Sequence, residues 1–194
     1  MIGVVDAFST NYTQARVKFL EAAATAGLQI ESFNQPLPGK DGEVLALDAA
    51  LQGSAHGKVA EKLLVVSSAN PGGDGFSGSG VQVFALHDAE WMDKMRAAGM
   101  SVLYLHGFDQ SLADVVKKYV ANYDISAKKV VWLDISASNS AKTTVNEALT
   151  STKSAAKCKF TSVKLVPVGS PVWQGQTISL ARQAMFKAVD SLFL

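Results

Sequence analysis

The stretch from Lys62 to Leu86, KLLVVSSANPGGDGFSGSGVQVFAL, limits the possible folds of this chain more than any other. Leu63 to Val66 is a short apolar run rich in valine, which suits a strand buried on both faces. Ser67, Ser68, Ala69, Asn70 and Pro71 follow, then glycines at 72, 73, 75, 78 and 80. Val81, Val83, Phe84 and Leu86 then read as the first turns of a helix. A strand feeding a glycine-rich turn and a helix is where α/β proteins place chemistry, because the helix start offers unpaired N–H groups. The same glycines also have a purely structural use, since they allow tight turns and let a helix approach a sheet closely.

The rest of the chain alternates in the same way. Tyr12, Ala15, Phe19, Ala22, Ala23 and Ala26 recur at helical spacing, with Ser9 or Thr10 as the expected N-cap and Gly27 as the stop. Leu28 to Phe33 alternates apolar and polar residues over its first four, as a strand with one wet face does. The proline- and glycine-dense Asn34 to Asp41 predicts a turn into a second strand at Glu43 to Ala49. Gln52 to Lys58 reads as a surface loop that leaves His56 in solvent. Glu90 to Ala98 reads as a short helix, Ser101 to Leu105 as a buried strand and Ser111 to Tyr123 as a helix. Lys129 to Ile135 is the next strand, and a helix around Ala141 to Ala156 sits in the polar segment that follows. Phe160 to Val168 is a further strand and Thr177 to Phe193 an amphipathic closing helix. This pattern predicts one α/β domain over residues 1–194, a three-layer α/β/α sandwich with a mixed, largely parallel sheet.

Charge narrows the classes of partner. Lys and Arg total 18 against 17 Asp and Glu, a net charge of +1, which leaves no electrostatic footprint for nucleic acid or an anionic membrane. Arginine occurs only at 16, 96 and 182, which weakens any phosphate- or carboxylate-clamping role. The single cysteine, Cys158, has no partner for an internal disulfide or a cysteine zinc site. The N-terminus lacks the basic start and long apolar core of a signal peptide, and no apolar run is long enough for a membrane span. The expectation is a cytoplasmic protein or one packed within a macromolecular assembly.

Gly73, Gly75 and Gly78 spell GxGxxG between a strand and a helix, the setting of a dinucleotide fingerprint. The match lies mid-chain, however, and the next strand, ending near Leu105 and His106, brings no acidic residue for a ribose. The loop also lacks the GK[ST] of a phosphate loop, and neither Ser77 nor Ser79 sits in a GxSxG elbow. What survives is an anion-binding reading of the N–H groups at Gly72, Gly73 and Gly75.

From about Phe8 to Leu86 the chain resembles an uncharacterised bacterial family related to the carboxypeptidase A-like zinc peptidases. The residues that carry the likeness are FSTNYTQARVKFLEAAATAGLQIESF, PLPGKDGEVLALD and LLVVSSANPGGDGFSGSG. Family members typically carry SGTHGVEGFCGSG at the last of these, and Ser68, Gly72, Gly75, Phe76, Gly78, Ser79 and Gly80 fit that register. Beyond Leu86 the echoes are shorter, VLYLHGFDQ and VVWLDIS. The resemblance implies a shortened carboxypeptidase-like fold.

It also implies where chemistry would sit. The family's zinc is held by a His, a Glu three residues on and a second His after a later strand; metal and a carboxylate base activate water, and an arginine clamps the substrate. Carried onto this chain, the first His falls at Pro71, the Glu at Asp74 and the second His at Ser136. The general-base Glu would land around Val166 or Pro167. The segment carrying the arginine clamp is missing after Asp109. The implication is a pseudo-enzyme without metal or cofactor, in a structural or protein-binding role with protein partners or self-assembly. Low charge and abundant small residues suit a subunit held in a larger assembly such as a virion.

The rival expectation is a metal-dependent hydrolase of peptidase or amidase type with a reduced site on Asp74, His106 and Asp109. Asp134 would join them at the C-terminal edge of the sheet, where open α/β sheets bind ligands. The competing reading of His106, and of His87, is a hydrogen-bonded structural residue. Trp91, Trp132 and Trp173 are the bulky anchors, with Trp132 expected in the core and Trp173 in an exposed loop.

Overall fold

The computed structural model describes residues 2–52, 62–69, 76–98, 100–107, 129–135, 158–162 and 171–193. The elements run α1 (Val4–Ala7), α2 (Tyr12–Thr25), β1 (Gln29–Asn34), β2 (Ala46–Gln52), β3 (Lys62–Ala69), α3 (Ser77–His87), α4 (Ala89–Ala97), β4 (Ser101–Gly107), β5 (Lys129–Asp134), β6 (Cys158–Ser162) and α5 (Pro171–Phe193). The helices expected at Ser111–Tyr123 and Ala141–Ala156 lie outside the described residues, as does the loop holding His56.

Local chemistry sets the helix ends. Asn11, rather than Ser9 or Thr10, caps α2: its side chain accepts a hydrogen bond from the Gln14 N–H at 2.8 Å. The Gln14 side chain in turn accepts from the Thr10 N–H at 2.9 Å, so Thr10 is held from its backbone and not used as the cap. Gly27, at φ 77°, stops the helix as its position predicts, with Gly27 N–H bonded to Ala24 and Leu28 N–H to Ala23. Asp88 accepts from the Trp91 N–H and starts α4. Helix α5 begins at Pro171, a residue whose fixed φ suits a first helical position, six residues before the expected start. Trp173 therefore belongs to a helix and not to an exposed loop.

The six strands form one sheet in the order β1-β2-β4-β3-β5-β6. Strands β4, β3, β5 and β6 pair in parallel, while β1 with β2 and β2 with β4 are antiparallel. The sheet is thus mixed: the expected parallel pairing holds from β4 to β6, and the two pairings made by β2 are antiparallel. The short connection between β1 and β2 can only return the chain antiparallel, and β2 then carries that direction to β4.

Alternate residues of a strand face opposite sides of a sheet, so the registers sort the core. Ala50, Leu64, Val66, Val102, Tyr104 and Leu133 face one way and pack with Phe19 of α2, Val81 and Val83 of α3, Trp91 and Met95 of α4, and Ile178, Met185 and Val189 of α5. Leu47, Leu63, Val65, Leu103 and Leu105 face the other way and are buried too, as a sheet covered on both faces requires. The described helices all belong to the first of these layers; the opposite layer of the expected sandwich lies outside the described residues. Trp91 is a core residue, donating from Nε1 to Tyr104 Oη at 2.8 Å and meeting Phe186 edge-on. Among the described residues no helix is long and apolar enough to cross a membrane.

Helix α3 starts at Ser77, four residues before the apolar period does, because its first turn is made of small buried residues. A Cβ on Gly78 would stand 2.7 Å from Ser68 Cβ, and one on Gly80 would stand 2.5 Å from the Phe8 ring. Both glycines are therefore close-approach residues, the structural use the sequence allowed for. The left-handed turn into α3 falls on Phe76, at φ 59°, a conformation that costs a non-glycine residue on the order of 1 kcal/mol.

Candidate functional site

One row of polar side chains crosses the helix-covered face of the sheet near the C-terminal end of β4. Ser32 of β1 is register partner to Asp48 of β2, Asp48 to His106 of β4, and His106 to Ser68 of β3. Helices α2 and α3 close over the row. Residues 12, 16 and 19 share one face of α2, and 79 and 82 one face of α3, by the three- and four-residue spacing of a helix.

Each member of the row is matched from above or beside. Asp48, fully buried, accepts from Arg16 Nε at 2.8 Å and Nη2 at 3.0 Å, a two-pronged pair, and from Ser32 Oγ at 2.5 Å. The bond to Asp48 holds the Arg16 guanidinium above its ordinary pKa. His106 Nε2 and Ser79 Oγ share a hydrogen bond of 2.8 Å, and the imidazole stacks on the Phe19 ring with centroids 4.5 Å apart. Gln82 accepts from Ser68 Oγ and donates from Nε2 to the carbonyls of Val66 and Leu105, stitching α3 to β3 and β4. Tyr12 Oη both donates to the Ala46 carbonyl and accepts from its N–H, and burial raises the pKa of its phenol.

Burial dominates the electrostatics of His106. It pushes the imidazole down to about 4; Asp48 pulls the other way, and Arg16 adds to the depression. The ring is thus neutral at physiological pH. A serine hydroxyl against an imidazole nitrogen is also the first contact of a nucleophile–base pair. Here Ser79 is 1% and His106 0% exposed, and the nearby carboxylate is committed to Arg16 and Ser32. The contact joins helix to sheet, with both groups buried.

His106 is placed against Ser79 by a hydrogen bond and against Phe19 by stacking. Asp74, Asp109, Gly72, Gly73 and Gly75 lie outside the described residues, as do Pro71, Ser136, Val166 and Pro167, so the grouping of Asp74 and Asp109 with His106 does too. Asp134 ends β5 in register with Ser67, and its side chain is not among those described, nor is that of Trp132 or Trp173. His87 is half-buried in the last turn of α3. A separate small recess of about 10 Å³ lies between α3, α4 and α5, against Phe84, Trp91, Ile178 and Arg182. No member of the polar row lines it. All of the chain's arginines are in ion pairs: Arg16 with Asp48, Arg96 with Asp93, and Arg182 with Asp88 and Glu90.

Sequence reasoning missed Asp48, Arg16, Ser79 and Gln82 as a group. A signal did exist for Asp48, the lone charge in the apolar run LALDAAL. A charge in a buried strand demands a partner, but which distant residue answers it is a matter of tertiary structure.

Residues 8–110, just over half of the chain, match the sequence model of a protein family of unknown function, DUF2817. The chain belongs to this family. In DUF2817 terms the match takes in the glycine loop, the polar row and both antiparallel pairings, and it begins at Phe8, where the resemblance in the sequence begins. A search of curated proteins found no match to the sequence. Among solved structures, this DUF2817 chain is similar to a glutaminyl cyclase from Porphyromonas gingivalis, with 10% identity, 93% of this chain and 88% of that one covered, and a TM-score of 0.45. It is similar also to a glutaminyl cyclase from Macrostomum lignano (11%, 95% and 84%, TM-score 0.45) and a Zn-dependent exopeptidase from Parabacteroides distasonis (12%, 90% and 75%, TM-score 0.42). The likeness is one of fold.

Proposed function

We propose that this DUF2817 chain is a non-catalytic domain that acts through its surfaces, in a structural or protein-binding role. The observation that carries this reading is the closure of the polar row. Its one histidine and its one carboxylate are both fully buried, and each is already spent, His106 on Ser79 and Phe19, Asp48 on Arg16 and Ser32. A general base must reach the proton it abstracts, and an enclosed imidazole does not.

The donor set supports the same reading. Zinc needs several deprotonated ligands converging at about 2 Å. At the positions where the resemblance places them stand Pro71, which has no side-chain donor, Asp74, one methylene shorter than Glu, and Ser136, a poor zinc ligand. This set does not fit the metal, and no step is assigned to one. A reduced hydrolase on Asp74, His106 and Asp109 would require His106 to face a cavity, and its ring lies between Phe19 and Ser79 instead.

Elemental analysis of the purified protein after dialysis against trace zinc tests the proposal. The expected result is no stoichiometric metal and no hydrolysis of peptide or amide substrates. A stoichiometric metal that disappears in Asp74→Ala would overturn it.

A further inference from the structure

The segment ahead of α2, residues 2–8, lies against α3 and α5, and its own structure is slight. Helix α1 has four residues, its N-cap Gly3 brings no side chain to cap it, and a helix this short does not hold in water unaided. The apolar grip is small as well. Ala7 and Phe8 are buried, and the Phe8 ring stands over Gly80 of α3, but Ile2 and Val4 are only partly buried and Val5 is 53% exposed.

One side chain supplies the polar ties. Lys18 of α2 donates from Nζ to the Asp6 carbonyl at 2.7 Å and to the Phe8 carbonyl at 2.6 Å. These oxygens sit at the C-terminal end of α1, where carbonyls lack helical partners and a cation is favoured. The bonds from Asp6 N–H to Gly3 and from Phe8 N–H to Val5 stay inside the segment and would move with it. At the junction with α2, Ser9 Oγ is buried with no hydrogen-bond partner among the described residues. A buried hydroxyl left in that state carries a desolvation cost, which is relieved when the junction meets water.

We propose that residues 2–8 form a strap that lifts as a unit, hinged at Ser9, while the sheet and the other helices stay folded, and that Lys18 is its latch. Segments with few buried apolar contacts are the ones that open locally. Helix α5 is the contrast: Ile178, Ala181, Met185, Ala188 and Val189 are all buried in the core, and it cannot leave without unmaking that core. Lifting the strap bares Gly80 and the seat of the Phe8 ring, on the first turn of α3. The surface offered there therefore changes with the state of the latch. This goes beyond the surface role proposed above and does not depend on it.

The test is native-state thiol labelling in a Cys158→Ser background. Ala7→Cys places the thiol under the strap, and Ala50→Cys places it in the core of the sheet; both wild-type residues are fully buried. Without denaturant, the thiol at position 7 should be labelled much faster than the one at position 50, yet far slower than in the unfolded chain. Low urea should hardly change the rate at position 7, because local opening exposes little surface. Lys18→Met should raise labelling at position 7 by about tenfold and leave position 50 unchanged, while Lys18→Arg keeps the wild-type rate. Equal rates at the two positions would overturn the strap, as would labelling at position 7 as fast as in the unfolded chain, and neither comparison needs a change at Lys18. A Lys18→Met effect that is the same at both positions, or absent from both, would overturn the latch.

Discussion

Acid should loosen this fold through one residue, and the size of the effect can be worked out. His106 titrates at about 4 in the folded chain, driven there first by burial, and at its ordinary 6.5 once unfolded. Its folded-state pKa is depressed, so the unfolded chain takes up the proton first. Stability from this residue is complete above about pH 7, falls as the pH drops through 6.5, and stops falling below about 4, where both states are protonated. Across the whole window the linkage amounts to about 3 kcal/mol, and about 2 kcal/mol of it is lost between about pH 7 and about pH 5. That interval lies above the ordinary range of carboxylates, so most acids do not contribute there.

The assay is urea unfolding at closely spaced pH values, with the denaturant slope monitored for constancy. His106→Gln provides the reference, since it can still hydrogen-bond Ser79 but takes up no proton. The wild type should lose about 2 kcal/mol more than the variant between about pH 7 and about pH 5. Parallel curves for the two proteins would refute the argument, because they would mean that the imidazole is already protonated, or already solvated, in the folded state.

Two further perturbations test the packing around the row. Arg16→Met leaves the buried Asp48 carboxylate with Ser32 alone and should cost about 3 kcal/mol in urea unfolding, whereas the double variant with Asp48→Asn should cost less than the single one. Equal losses in single and double variants would mean that the pair is not coupled. Gly80→Ala drives a methyl into the Phe8 ring and should destabilise by about 1–3 kcal/mol, with Phe8→Leu in the same chain restoring part of the loss. A neutral Gly80→Ala would show that α3 can move off the ring.

The alternation of apolar runs with helical periods made the elements legible, since each is a local pattern. β1, β3, β4, β5, α2 and α4 lie where their residues place them, because their hydrophobic period is clear and their flanks carry Gly27, the glycine loop or Asp88. The misplaced boundaries have a common cause. Ser77 to Gly80 and Pro171 to Gln176 are helical without a strong apolar period, so nothing local announced them. β2 begins at Ala46 rather than Glu43, because the hairpin's turn, closed by Gly39 N–H to Glu43 O, uses residues that read as strand. Of the polar row, only His106 and the lone charge of Asp48 stood out in the sequence, and their grouping did not. Its members come from residues 12 to 106, and what brings Asp48 to His106 is strand order, a property no local pattern encodes.

That origin also suggests what the row is for. A buried ion pair seldom adds net stability over an apolar replacement, so its energy does not explain it. Its geometry does. Shifting β2 by one residue against β1 or β4 would carry Asp48 to the opposite face, away from Arg16, Ser32 and His106, where it would be buried with no match. The same slip would place Leu47 or Ala49 beneath the Arg16 guanidinium. The antiparallel half of the sheet is where this protection is most needed, because Ala46, Ala49 and Ala50 of β2 are small and nearly interchangeable in packing. The row thus penalises the wrong registers more than it stabilises the right one. If so, Asp48→Leu with Arg16→Met should keep or raise the melting temperature while broadening the spectrum of β1 and β2 amides, and an unchanged, single set of resonances would remove the argument.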